Sequence, residues 1–465
     1  MIGIIGGVVG VVGGGSGLIG LWRVWRQERR EEQQGFFTSY ERSIQLLKEQ
    51  HQRESDPAKK EAKRHQLETV ENECLEQQEA YRQNCALRQS APRGALTAER
   101  RPPPEPVRIE LTELLKKTRL LSPALLTAED HFLRGNALYE LGRYEEALAS
   151  YNAALALRPD DPDTLNNRGI TLDELKRYEE ALCDLNRCLE LRPDDPDALN
   201  NRGLTLDNLK RYDEALADYN RALELRPGDP ATLSNRANTL AELKRNEEAL
   251  ADYNRSLELR PDDPATLYNR GITLIGLKRY EEALADCDRS LQLRPDHPDV
   301  LNNRGNALSG LGRHEGALAD YNRALELRPD DAATLSNRGV ALSSLKRYQE
   351  ALADYNRSLE LRPDHPDTLN NRGIALGYLQ RYEEALADYN RTLELRPDDP
   401  KTLYNIACLY SLWERYDESL QWLEKAIGGD ASCRRDAAED EDFAGLRADP
   451  QFGPRFEKLI QEETP

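Results

Sequence analysis

The chain has 465 residues, 32% of them charged and 6% aromatic, and its formal net charge at pH 7 is -19. A single compact core does not grow to this length, and this charged, aromatic-poor composition favours an array of solvated helices over a globular enzyme. The negative charge argues against sequence-independent binding to nucleic acid, which needs clustered lysine and arginine, so protein partners are expected.

Residues 1–22 form an apolar, glycine-rich segment without a charged side chain. As a helix this segment would be roughly 31 Å long, close to the hydrocarbon thickness of a bilayer. Arginines follow directly, and the positive-inside rule then predicts a single-pass membrane anchor with the rest of the chain in the cytoplasm. Gly6, Gly10 and Gly14 form a GxxxG pattern that suits helix pairing, so the alternative is self-association of a soluble protein, cytoplasmic or secreted.

Residues 23–100 are rich in Glu, Gln, Lys and Arg, with apolar residues at helical spacing. This pattern predicts a charged helical stalk, either one long helix or a hairpin of coiled-coil type, although no heptad is sustained. Residues 101–127 begin with several prolines, which predict a linker. A short helix near Ile109 to Leu121 is expected to follow the linker and to cap the next domain.

Residues 128–433 repeat with a period of 34, without insertion or deletion through eight units, and a ninth unit is incomplete. Position 8 of every unit is small, position 20 is Ala in all but the last, position 24 is usually Tyr, and position 32 is Pro in the first eight. The first residues of the nine units are Ala128, Pro162, Pro196, Pro230, Pro264, Pro298, Ala332, Pro366 and Pro400.

The third unit explains why two helices are expected in each repeat. Its first half places Leu199, Gly203 and Leu206 at helical spacing, facing a second helix that carries Ala215, Tyr219 and Ala222. Small residues let two helices cross closely. Asp195 directly precedes Pro196 and is placed to cap the first helix. Because one helix hairpin cannot bury its own apolar stripe, the units must stack, which predicts an all-α solenoid of about nine repeats.

The 34-residue period, with these residues at positions 8, 20, 24 and 32, resembles the tetratricopeptide repeat family over residues 128–429. The resemblance implies a right-handed superhelical solenoid that binds proteins or peptides and has no catalytic activity. It also implies that positions 2, 5, 6, 9, 12 and 13 of each first helix line a concave groove. We call these six positions the inner stripe.

Position 7, where the family usually has a large apolar residue, is Arg in eight units, from Arg134 to Arg372. A charge at this position needs a partner, and aspartates occupy position 23 of seven second helices, from Asp184 to Asp388. The sequence therefore predicts an internal ladder of ion pairs. The alternative is that the arginines point into the groove and recognise acidic ligands.

The inner stripe is expected to be polar, because position 6 is Asn in eight consecutive units and position 5 is Asn or Tyr in six. The row resembles the groove of protein O-GlcNAc transferases, but the residues given after Gly429 are too few for a transferase domain, so no transferase activity is expected from them. An Asn side chain is both donor and acceptor, so the row can pair with the backbone of an extended peptide; alternatively, each Asn holds neighbouring repeats in register. The predicted peptide-binding residues are Asn167, Asn201, Asn235, Asn269, Asn303, Asn337, Asn371 and Asn405 at position 6, and Asn166, Asn200, Tyr268, Asn302, Asn370 and Tyr404 at position 5.

Acidic side chains gather on the inner stripe of the second and third units, at Asp163, Asp173, Asp197 and Asp207. This cluster favours a ligand that carries lysine or arginine. The alternative is that the carboxylates only keep the surface solvated.

Residues 434–465 lack the repeat pattern but place Phe443, Leu446, Phe452 and Phe456 among acidic residues. The last unit of a solenoid must cover its exposed face, so a capping segment followed by a tail is expected. The acidic run at 436–442 lacks the spaced oxygen ligands and the glycine of a calcium loop, so no metal is expected there.

The sequence contains no phosphate-binding loop, dinucleotide-binding glycine pattern, HExxH or GxSxG motif. Its histidines are dispersed, and its seven cysteines are scattered without a CxxC pair. Cys183 and Cys188 fall on helix faces that should be buried, which is typical of small core residues. The sequence therefore predicts a non-enzymatic scaffold without catalytic residues, cofactor or metal.

Overall fold

The structure is a computed structural model, and it describes residues 41–42, 44–50, 52–53, 56–90, 105–118 and 126–461. Every regular element in those ranges is a helix, as predicted. The chain divides into two compact units between Pro227 and Gly228. The predicted anchor at residues 1–22 lies outside the described residues, and within them no helix is both long and apolar enough to cross a bilayer.

The described residues before position 54 are helical, and two further helices with described bounds precede the repeats, α1 (Pro57–Ser90) and α2 (Glu105–Thr118). Leu115 in α2 is buried in one hydrophobic cluster with Leu133 and Tyr151 of the first repeat. Asn84 in α1 donates a buried 2.8 Å hydrogen bond to Asp130 Oδ1. Both helices therefore cover the open face of the first repeat.

Nine helix pairs follow, and each pair has its first helix at position 1 and its second at position 17 of the 34-residue unit. The first helices are α3 (Ala128–Glu140), α5 (Pro162–Glu174), α7 (Pro196–Asn208), α9 (Pro230–Glu242), α11 (Pro264–Gly276), α13 (Pro298–Gly310), α15 (Ala332–Ser344), α17 (Pro366–Tyr378) and α19 (Pro400–Leu412). The second helices are α4 (Tyr144–Leu157), α6 (Tyr178–Leu191), α8 (Tyr212–Leu225), α10 (Asn246–Leu259), α12 (Tyr280–Leu293), α14 (His314–Leu327), α16 (Tyr348–Leu361), α18 (Tyr382–Leu395) and α20 (Tyr416–Gly429).

Local chemistry sets where most first helices begin and where each of them ends. The side chain of Asp263 accepts a hydrogen bond from the Thr266 backbone N–H at 2.9 Å, which caps α11. Pro264 follows at the first helical position, where a missing N–H costs nothing. The helix ends because position 15, Lys278 in this repeat, adopts a left-handed backbone with φ of 60°.

The helices of one repeat cross closely because position 8 is small. A methyl group added at Gly305 would lie 2.5 Å from the ring of Tyr321, the residue at position 24. Gly271 is different, because it faces Cys287, whose sulfur would lie 3.6 Å from an added methyl group. A methyl group is therefore excluded where the ring lies as close as that of Tyr321, and is tolerated opposite Cys287. The fourth repeat has Ala237 opposite the buried Tyr253, so the tyrosine alone does not require glycine.

Repeats bury their remaining apolar surface against one another, as expected for a solenoid. One hydrophobic cluster joins Ala317 and Tyr321 of the sixth repeat, Ala341 and Tyr355 of the seventh, and Ala375 of the eighth. The core of the sixth to eighth repeats is therefore one layer that no single repeat could form.

One predicted core cysteine is exposed. Cys188 is buried, and its burial raises the pKa of the thiol to about 12, whereas Cys183 is exposed, so the prediction of its burial was wrong. Cys183 lies between Ala181 and Leu185, which both face the core, and a helix turns by about 100° per residue, so position 22 points outward.

The chain ends in α21 (Cys433–Glu439), a 3-10 helix (Glu441–Phe443), α22 (Ala444–Ala448) and α23 (Gly453–Gln461). Phe443, Leu446 and Phe456 are fully buried in a cluster with Leu423 and Ile427 of the ninth repeat. These short helices cover the apolar face that the last repeat would otherwise expose.

Gly271 and Gly305 differ in the space beside them, so replacing each with alanine should have opposite effects on stability. Alanine is preferred over glycine inside a helix by about 1 kcal/mol, so Gly271→Ala should raise the free energy of unfolding by about 0.5–1 kcal/mol. Gly305→Ala should lower it by about 1–3 kcal/mol, because the Tyr321 ring must move. Urea midpoints of the full-length variants test this pair, and equal destabilisation by both would contradict the packing described.

Candidate functional site

Seven arginines at position 7 form bidentate ion pairs with position 23 of their own repeats, as predicted. In the eighth repeat, Arg372 Nε lies 2.7 Å from Asp388 Oδ2 and Nη2 lies 2.7 Å from Oδ1. The arginine side chains are only 23–28% exposed, so a role in the groove is not supported. The pairs are Arg168 with Asp184, Arg202 with Asp218, Arg236 with Asp252, Arg270 with Asp286, Arg304 with Asp320, Arg338 with Asp354 and Arg372 with Asp388.

The same arginines also contact the preceding repeat. Arg270 Nη1 donates to Asn254 Oδ1 at 2.7 Å, and Arg304 Nη1 donates to Asp288 Oδ1 at 2.8 Å. Both acceptors occupy position 25 of the preceding second helix. One guanidinium therefore joins three helices, and these charges are used for repeat stacking rather than for ligand recognition.

Five of the position-6 asparagines donate a side-chain N–H to an asparagine of the preceding repeat, at 2.9–3.0 Å. The acceptor is position 5 where that residue is Asn, and position 9 where it is not. These bonds support the alternative role of the asparagine row, in which each Asn holds neighbouring repeats in register. The bonds run from Asn201 to Asn166, Asn337 to Asn302 and Asn405 to Asn370 at position 5, and from Asn167 to Asn136 and Asn269 to Asn238 at position 9.

Two position-6 asparagines follow a repeat that has no Asn at either acceptor position. Asn303 follows a repeat with Tyr268 and Ile272 at these positions, and among the described residues its buried amide nitrogen has no hydrogen-bond partner. Asn371 follows a repeat with Ser336 and Val340 at positions 5 and 9. Within the described part of the chain, the half-buried Asn371 side chain has no hydrogen-bond partner. Its donors and acceptor are therefore available to a ligand.

The predicted peptide-binding residues differ in burial. Buried members cannot contact a ligand through more than a small fraction of their surface, so the half-buried ones define the accessible site. The buried residues are Asn166, Asn167, Asn200, Asn201, Asn235, Asn303 and Asn370. The half-buried residues, all within 228–465, are Asn269, Asn302, Asn337, Asn371, Asn405, Tyr268 and Tyr404.

The inner stripe is not wholly polar, which corrects the expectation from the sequence. Ile272 and Val340 at position 9 are 44% and 36% exposed, and Tyr378 at position 13 is 43% exposed. Sequence reasoning passed over these residues because it followed the asparagines. The sequence does contain a signal for them, because position 9 of the inner stripe is Ile or Val in several repeats, as at Ile272 and Val340.

The acidic cluster of the second and third repeats is largely satisfied within the array. Asp163 accepts a 2.6 Å bond from Arg192, and Asp197 accepts a 2.8 Å bond from Arg226. Asn208 donates to Asp173 at 3.1 Å. A cationic ligand at these residues would have to displace existing partners.

Among the residues that the structure describes, one group has the spacing of metal ligands: Cys408, Asp440 and Asp442. Burial, followed by the charges of both carboxylates, raises the pKa of the Cys408 thiol well above its ordinary value. The protonated thiol lies 3.7 Å from Asp440 Oδ2, to which it can donate.

Position-6 asparagines that bond to the preceding repeat should contribute more to the free energy of unfolding than those that do not. Asn337→Ala removes the bond to Asn302 and should lower the free energy of unfolding by about 1 kcal/mol relative to Asn371→Ala, which removes no bond. Both substitutions gain the same helix propensity, which therefore cancels in the comparison. Urea midpoints of the full-length variants measure the difference; equal midpoints would show that the inter-repeat bonds contribute nothing.

Comparison with known proteins places the repeats in a family. A profile described as TPR repeat matches residues 135–175 and 237–277, and profiles described as tetratricopeptide repeat match 162–195, 196–229, 262–330, 330–398 and 366–430. A search of curated proteins found no match.

Two solved structures of similar proteins are described as tetratricopeptide repeat proteins. One from Parabacteroides merdae ATCC 43184 is 20% identical, covers 53% of this chain and 97% of its own, and has a TM-score of 0.44. YrrB, described as a TPR protein with an unusual peptide-binding site, is 27% identical over 40% of this chain and 95% of its own, with a TM-score of 0.33. The family matches together span more than half of the sequence, and the chain belongs to the tetratricopeptide repeat family.

Proposed function

We propose that the inner stripe of residues 228–465 binds an extended peptide segment of a partner protein, and that the chain is a non-enzymatic scaffold. The exposed apolar side chains of the first helices support the proposed peptide site most directly. In the nine first helices, the exposed large apolar side chains are Ile272, Val340 and Tyr378, and all three lie on the inner stripe. Exposed apolar surface that is rimmed by polar groups is typical of protein interaction sites.

The amides around these apolar residues suit a peptide backbone. Asn337 uses one of its two amide N–H groups for Asn302 and keeps the other. Asn371 keeps both, together with its carbonyl oxygen. Amides of this kind can pair with the main chain of any sequence, whereas contacts with Ile272 and Val340 favour apolar side chains in the ligand.

Tetratricopeptide repeats generally act as interaction modules, which supports binding without catalysis. The charges that are periodic in this chain, the arginines at position 7, are held by aspartates inside the repeats. They therefore stabilise the stack that presents the inner stripe and leave recognition to the neutral residues of that stripe.

Charging the apolar residues should abolish partner capture. A full-length variant with Ile272→Lys and Val340→Lys is expected to capture less than a tenth of the partner that the wild-type chain captures from cell extract. Each ammonium group would have to lose its water where an apolar ligand side chain should pack. Quantitative mass spectrometry of the captured proteins measures the loss.

The control carries Leu259→Lys and Leu327→Lys, at side chains that are 42% and 38% exposed on second helices. It adds the same charge at similar exposure but outside the inner stripe, and should capture like wild type. Equal loss in both variants, or none in the first, would refute the assignment, provided that all urea midpoints agree.

We further propose that residues 1–22 anchor this scaffold in a membrane, because the charge-free segment is followed by arginines. The full-length chain should then stay in the membrane pellet after alkaline carbonate extraction, and a variant lacking residues 1–22 should not. Recovery of the full-length chain in the supernatant would favour the alternative, in which Gly6, Gly10 and Gly14 mediate self-association of a soluble protein.

A further inference from the structure

A cavity of about 210 Å³ lies where the inner stripe meets the C-terminal segment. Ile374 and Tyr378 of α17 and Tyr404 of α19 line it, all at stripe positions. Asp440 and Asp442, next to and within the 3-10 helix, form another part of its wall. The cavity is thus continuous with the surface proposed to bind peptide, and it places carboxylates next to aromatic rings.

Tyr389 also lines this cavity and is only 2% exposed. Tyr151, Tyr253 and Tyr321 at the same position of other repeats donate to an Asn at position 9, and Tyr355, which has Val340 there, lies 3.4 Å from the Ser343 hydroxyl. In the eighth repeat position 9 is Ile374, and among the described residues the Tyr389 hydroxyl has no hydrogen-bond partner. A buried hydroxyl without a partner is unfavourable, so a polar group of a ligand would satisfy it.

The two carboxylates have no ion pair in the described part of the chain, and Arg447 binds the backbone oxygen of Asp440, at 2.9 Å, rather than its carboxylate. Asp440 accepts a 2.9 Å bond from the Tyr404 hydroxyl, and Asp442 accepts one of 3.0 Å from the Tyr378 hydroxyl. No lysine or arginine in the described ranges forms an ion pair with either aspartate. Burial, together with the charge of Asp440, raises the pKa of Asp442. A cation in the cavity would compensate both negative charges.

These groups match a primary ammonium on an aliphatic stem. An ammonium group has three donors and no acceptor, and the cavity offers two carboxylates and the Tyr389 hydroxyl oxygen as acceptors. The faces of Tyr378 and Tyr404 can stabilise a cation, and Ile374 can contact the methylene stem. Resting on the peptide binding proposed above, we propose that this cavity binds the lysine side chain of the partner peptide.

The test uses the full-length chain with 3-fluorotyrosine at position 378 and follows its fluorine resonance by NMR. Nα-acetyl-lysine N-methylamide should shift this resonance saturably, and the norleucine analogue, which lacks the ammonium group, should not. Absence of a saturable shift, or an equal shift with norleucine, would overturn the proposal. A shift with glycine N-methylamide but not with the lysine probe would do so too, since it would identify a chain N-terminus as the ligand.

Two variants test the assigned groups. Asp442→Asn should weaken binding of the lysine probe at least tenfold, because it removes a charge but keeps the acceptor for Tyr378. Tyr389→Phe should weaken binding several-fold and leave the urea midpoint unchanged or raised, since its hydroxyl has no partner to lose. Unchanged affinity in both variants would show that the probe binds elsewhere.

This probe is too short to span the inner stripe, so the cavity and the proposed function can fail separately. Loss of partner capture on charging Ile272 and Val340, without a fluorine shift from the lysine probe, would refute only the cavity. A saturable shift from the probe, with partner capture unaffected by those substitutions, would refute only the peptide site.

Discussion

The close approach of the two helices in each repeat is the constraint on which the other features depend. A glycine at position 8 lets the ring of a position-24 tyrosine lie against the first helix, as Tyr321 lies against Gly305. The hydroxyl of that tyrosine then reaches position 9, where Asn306 accepts it at 2.8 Å. Because position 9 belongs to the inner stripe, packing between the helices determines which side chains the stripe can present.

Arginine ion pairs and hydrogen bonds between asparagine side chains then keep successive repeats in register. Arg270 joins its own second helix to the preceding one through Asp286 and Asn254, so a buried charge that would be costly alone holds three helices together. The position-6 asparagines repeat this connection on the inner side. Where the preceding repeat offers no asparagine acceptor, as before Asn371, an amide is left free on the surface next to exposed aliphatic residues.

Much of this could be predicted from the sequence, because each 34-residue unit repeats the same local chemistry. The helix pairs, the position-8 contacts and the ion pairs sixteen residues apart follow from spacing alone. Cys183 was misplaced although the information was present, since its spacing from Ala181 and Leu185 already puts it on the outer face of the helix. The contacts of Asp440 and Asp442 with Tyr404 and Tyr378 could not be predicted, since the C-terminal segment has no repeat to fix its path.

The central claim is that partners lie along the inner stripe of residues 228–465. Its most direct test places a photo-crosslinking amino acid at Val340 or, in a matched chain, at Leu327, and irradiates living cells that make the full-length protein. The account predicts a discrete crosslinked partner from position 340 and none from 327. The same partner from position 327, with none from 340, would contradict it.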